Sequence, residues 1–129
     1  MSLAERGLLP QFAVTTLGGA RFDYSSVWQQ RNLLLIVLPG VAIGETEKQY
    51  LESITGDRAL LDEYDATAVA TAERVAGTST PAVIVADRWG EIYFVRTGTS
   101  VDDLPSRSEI VEALRWVAHE CPECQGEAR

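Results

Sequence analysis

The only two cysteines of this chain of 129 residues, Cys121 and Cys124, stand together in one Cys-Pro-Glu-Cys motif near its end. A pair at this spacing supports thiol–disulfide exchange. One thiolate attacks a partner disulfide, and the second cysteine resolves the mixed disulfide. Closing so small a ring gains about 2 kcal/mol from chain entropy in the usual treatment. The surroundings oppose a reactive thiolate. The motif follows an expected helix, whose C-terminal end is the negative pole. Glu120, Glu123 and Glu127 add negative charge, which disfavours ionisation further. An activated thiolate there requires a basic side chain, Arg115 or Arg129, to fold over it.

The same residues read equally well as metal ligands. Cys121-Pro122-Glu123-Cys124-Gln125-Gly126 resembles a zinc knuckle, one half of a zinc ribbon. Structural zinc takes four ligands, and one knuckle supplies two. His119 offers a third at an awkward spacing. Two copies of the chain around a twofold axis would complete an all-cysteine site. The plain alternative is a terminal segment with idle thiols.

Everything that must position such a site lies upstream. Phe12 to Thr16 alternates apolar and polar residues, Gly18-Gly19 follows, and Arg21 to Asp23 returns, which predicts an N-terminal hairpin. Leu33 to Leu38 is apolar without a break and stops at Pro39-Gly40, as expected of a central strand buried on both faces. From Glu45, residues Tyr50, Leu51, Ile54, Leu61 and Tyr64 recur at helical spacing, with Gly56 marking a kink or a break. Ala66 to Thr71 reads as a second strand, and Glu73 to Val75 as a single helical turn. Ala82 to Ala86 and Glu91 to Arg96 flank Asp87-Arg88-Trp89-Gly90, a hairpin turn with glycine at its end. Ser106 and Glu109 form a capping box for a last helix carrying Ile110, Leu114 and Val117, which Pro122 ends. Strands alternating with helices predict a three-layer α/β fold with a mixed sheet.

Two stretches carry a family likeness. Thr80-Pro81, the strand 82–86, Asp87-Arg88-Trp89-Gly90 and the strand after it resemble the signature of thioredoxin-fold proteins. Leu9-Pro10-Gln11-Phe12 followed by Leu17-Gly18-Gly19 resembles the opening of redoxins in the alkyl hydroperoxide reductase and thiol-specific antioxidant group, the peroxiredoxin-like proteins. The likeness spans residues 7 to 118. It implies a thioredoxin-like fold with an N-terminal β-hairpin extension, a cis peptide bond before Pro81, and a substrate-facing loop at Thr80 and Pro81. It also implies a reactive cysteine at the start of the helix after the first core strand. There, free amides and the helix dipole stabilise a thiolate. This chain departs from the pattern. Its loop reads Pro39-Gly40-Val41-Ala42-Ile43-Gly44-Glu45-Thr46-Glu47. Ala42 and Glu45 stand at the thioredoxin cysteine positions and Thr46 at the peroxidatic one, and a hydroxyl cannot cycle through sulfenic acid.

Composition bounds the remaining options. The net charge of −8 disfavours nucleic acid and anionic membranes, which are bound through clustered Lys and Arg. The longest apolar run is far short of the roughly 20 residues that span a bilayer, so a cytoplasmic protein is expected. The reading is one redoxin domain over residues 1–120 and a tail over 121–129. Its leading function is thiol–disulfide oxidoreductase or antioxidant activity through Cys121 and Cys124, acting on a protein thiol or disulfide. The other function is a non-catalytic interaction module whose knuckle binds zinc or supports a homodimer.

Overall fold

The computed structural model describes residues 6–78 and 80–119. Nine regular elements follow in order: β1 (Ala13–Thr15), β2 (Arg21–Asp23), β3 (Asn32–Val37), α1 (Glu45–Thr55), α2 (Arg58–Glu63), β4 (Ala66–Thr71), β5 (Ala82–Ala86), β6 (Ile92–Thr97) and α3 (Arg107–His119). The sheet order is β4-β3-β5-β6, and β1 and β2 form a separate antiparallel pair. β3 runs parallel to β4 and antiparallel to β5, so the sheet is mixed as the hairpin 82–97 requires.

Burial follows from the apolar run. Every residue of β3 is buried, and its side chains divide by parity between the two faces. Leu34 and Ile36 pack with Leu51 and Ile54 of α1, Leu61 of α2, and Ile110, Leu114 and Val117 of α3. Leu33, Leu35 and Val37 pack with Val14, Tyr24, Val69 and Val75. Burying one such side chain contributes about 1.5–3 kcal/mol, which fixes the strand at the centre. All three helices lie on the first face. The N-terminal hairpin, the 3-10 turn Tyr24–Ser26 and the segment around Val75 build the layer on the second.

Gly56 separates two helices rather than kinking one. Asp57 then caps α2, its side chain accepting the Leu60 amide. The expected helical turn at Glu73 to Val75 is irregular backbone instead. The Thr71 hydroxyl accepts the Glu73 amide, and the Glu73 carboxylate accepts the Thr15 amide, so local bonds and the hairpin hold this segment open. The Ser106 box forms as expected. Glu109 Oε1 accepts the Ser106 amide at 2.9 Å, and Ser106 Oγ accepts the Glu109 amide at 3.3 Å.

Candidate functional site

The segment after β3 and the segment before β5 meet at one end of the sheet. The pairing of Val37 with Ala82 dictates this, because it puts Pro39 and Pro81 just beyond the same sheet edge. β3 leads into Gly40, which has φ +73, a left-handed conformation natural to glycine. The Val41 amide returns to the Leu38 carbonyl at 3.3 Å, and the Leu38 amide is held by Thr71. Ala42, Glu45 and Thr46 are exposed, as is Thr80, while Pro81 is buried. Four of the five positions singled out around the loop are therefore exposed, and Pro81, expected to face substrate, is not.

The peptide bond before Pro81 differs from the expectation. No peptide bond among the described residues is cis. The Pro81 carbonyl accepts the Gly98 amide at 2.9 Å, so Pro81 extends the β5–β6 pairing as a residue opening a strand, a position that tolerates the missing N–H.

The helix start carries a feature that the family comparison alone does not reveal. Glu47 Oε1 accepts the Gly44 amide at 2.8 Å, and Glu45 stands in the same first turn. The anion that complements this helix pole is already a side chain of the protein. A thiolate or oxidised sulfur there would stand beside two carboxylates. The signal was in the sequence as the Gly44-x-x-Glu47 spacing, the reach of a capping box.

Cys121 and Cys124, with their expected redox and metal roles, lie outside the described residues, and so does the side chain of His119. The course of α3 is set by its contacts with β6. Glu109, near its start, pairs with Arg96 at 3.2 Å, and Trp116 meets Tyr93 edge-on with ring centroids 5.2 Å apart. Thr97 pairs with Ala82 at the loop end of the sheet, and Ile92 with Ala86 at the other. The helix therefore runs away from the loop, and its 13 residues span about 20 Å. Among the described residues, no group of three His, Cys, Asp or Glu side chains gathers to hold a metal, and no helix is long and apolar enough to cross a membrane.

No protein-family model matches the chain, and no curated protein matches it. Solved structures do. The reduced 2-Cys peroxiredoxin of Plasmodium vivax superposes with a TM-score of 0.70 at 8% identity, over 92% of this chain and 83% of that one. A thiol:disulfide interchange protein of the thioredoxin family from Chlorobium tepidum TLS gives 0.61 at 11%, over 91% and 99%. A thiol peroxidase from Chromobacterium violaceum gives 0.59 at 14%, over 88% and 87%. At these identities the likeness establishes architecture and transfers no activity. The chain has a thioredoxin-like fold.

Proposed function

We propose that this domain is a non-catalytic thioredoxin-fold interaction module whose partner-facing end is formed by Pro39 to Gly44, the first turn of α1, and Thr80. One observation carries the reading. The Glu47 carboxylate occupies the helix start at which the fold would activate a cysteine, and the exposed positions around it offer Ala42, Glu45 and Thr46. None of these can be oxidised and resolved. Surface groups at that end remain suited to non-covalent contact with a protein partner.

The second reading places thiol–disulfide activity, antioxidant in effect, in Cys121 and Cys124. Their Cys-x-x-Cys spacing favours it, as does the similarity of the fold to a thiol:disulfide interchange protein and a thiol peroxidase. Two assays on the full chain separate the readings: peroxide consumption, and reduction of a disulfide-bonded protein. The module reading expects no turnover in either, and identical traces for the wild type and the Cys121→Ser, Cys124→Ser variant. Disulfide reduction that the double variant loses would overturn it in favour of the second reading.

In its zinc form the module is a homodimer bridged by Cys121 and Cys124 of two chains. Metal analysis with light scattering tests this form. One zinc per two chains, and a dimer that chelation converts to monomer, supports it. A metal-free monomer removes it and leaves the module without zinc.

A further inference from the structure

β4 is the outer strand of the sheet, and its exposed edge is only partly closed. The Asp65 carbonyl accepts the Asn32 amide and the Thr71 carbonyl accepts the Leu38 amide. Odd-numbered residues of β4 therefore bond to β3, and even-numbered residues turn outward. Of these, the Ala70 carbonyl accepts the Leu17 amide at 2.9 Å, and the Ala66 carbonyl accepts Arg31 Nη2 at 2.7 Å. Ala68, between them, has no partner on that edge among the described residues.

A cavity of about 300 Å³ opens at this gap, lined in part by Arg31, Thr55, Arg58, Asp62, Thr67 and Ala68. Two cationic residues, Arg31 and Arg58, line it on a protein that is strongly acidic overall. Arg58 has no carboxylate partner among the described residues. Arg31 is already engaged: Nη2 bonds to the Ala66 carbonyl and to Asp62 Oδ1 at 3.3 Å, Nη1 lies 3.8 Å from Asp65 Oδ1, and Nε is buried. Thr55, Thr67, the outward amide of Ala68 and the largely exposed carboxylate of Asp62 complete a mixed polar lining.

We propose that this cavity binds a small carboxylic acid that also carries a hydroxyl or amino group. The planar guanidinium fork matches a carboxylate. The Asp62 carboxylate provides an acceptor for the second polar group, and the volume sits at the small end of ligand pockets. The lining holds two cations against one carboxylate, which favours an anionic ligand. The cavity flanks the sheet, apart from the loop of Ala42 and Thr46, so it stands independently of the module reading.

The test is a titration of the full chain with L-malate, succinate and inorganic phosphate, followed residue by residue by amide and guanidinium NMR. Saturable shifts with malate at Ala68, Thr67 and the Arg58 Nε–H are expected, with succinate weaker. Arg58→Glu, on an exposed residue, should weaken malate binding by about tenfold or more, the loss of one charge-assisted bond. Unchanged shifts elsewhere in that variant confirm that it is folded. Absence of saturable shifts overturns the proposal, as does equal affinity in Arg58→Glu. Phosphate perturbing the same groups as strongly as malate would overturn the carboxylate assignment, and succinate equalling malate would overturn the role of the second polar group.

Discussion

Glu47 closes the start of α1 onto Gly44, its Oε1 accepting the Gly44 amide at 2.8 Å. This contact puts a carboxylate at the helix start, where a negative sulfur would otherwise meet the positive helix pole. It serves the helix and works against redox chemistry at the same place.

Glu47→Ala should therefore cost about 1 kcal/mol of stability, the usual loss for a helix cap. The same contact makes a prediction about an installed thiol. Thr46→Cys should titrate no lower than an ordinary cysteine, at a pKa of about 8.5, and adding Glu47→Gln should bring it down. Ultraviolet thiolate absorbance against pH reads both. A strongly lowered value with Glu47 intact would show that the carboxylate does not control this end of the helix.

Gly90 and Tyr24 give a second test. Gly90 has φ +88, and a Cβ added there would lie 3.2 Å from the Tyr24 hydroxyl. That hydroxyl is buried without a hydrogen-bond partner. Burial, and secondarily the charge of Asp87, push its pKa up to about 12. Tyr24→Phe removes only an unpaired polar atom, so stability should hold or rise by about 1 kcal/mol. Gly90→Ala should lose about 1–2 kcal/mol to the left-handed backbone alone, and less of the added steric cost should survive in the Tyr24→Phe background. Urea unfolding of the four proteins measures the coupling, and strict additivity would exclude it.

Acid stability should depend on three surface carboxyls. Asp57 is held below its ordinary pKa by the Arg107 side chain and then by the Leu60 amide. The Thr99 amide and hydroxyl do the same for Asp103. Glu109 is lowered by the Ser106 amide, with help from Arg96. A carboxyl lowered in the folded state stabilises above its unfolded pKa and loses that contribution as pH falls through the folded value. Stability should thus be flat near neutrality and fall from the ordinary carboxylate range, about pH 4, downward. In the triple variant Asp57→Asn, Asp103→Asn, Glu109→Gln the fall should be shallower. An unchanged slope in unfolding midpoints between neutral and acid pH would assign acid sensitivity to other groups.

Leu35→Ala tests the centre of the second core. The side chain is fully buried between Val69 on one neighbouring strand and Ile84 on the other. The expected loss is about 2–5 kcal/mol, with the variation set by how far the site collapses. A loss under about 1 kcal/mol would mean that the layer of hairpin and turns relaxes freely over the sheet.

The strands were legible because their pattern is uniform. Leu33 to Leu38 and Ala82 to Ala86 have no polar residue that competes for another conformation, and the turn at Asp87 to Gly90 is marked by its residue types. The Glu73 to Val75 segment was misjudged because its conformation depends on Thr15, distant in sequence but bonded to Glu73. Pro81 was expected after a cis bond because of the family likeness, whereas its pairing to Gly98 is a feature of this chain's own hairpin. The cavity at Ala68 was not legible at all. Arg31 and Arg58 belong to no motif, and only the folding of α2 against β4 brings them to one opening.

By itself, the sequence determined that no cysteine stands near the first core strand and that the sulfur pair is confined to Cys121 and Cys124, because residue identity is independent of folding. It also determined the alternation of strands and helices, since periodicity of burial is written along the chain. Tertiary structure alone decided that α3 carries the chain away from the loop, that Glu47 occupies the helix start, and that the edge of β4 is left open at Ala68. Those are relations between residues far apart in sequence, and only the packing of the helices on one face of the sheet sets them.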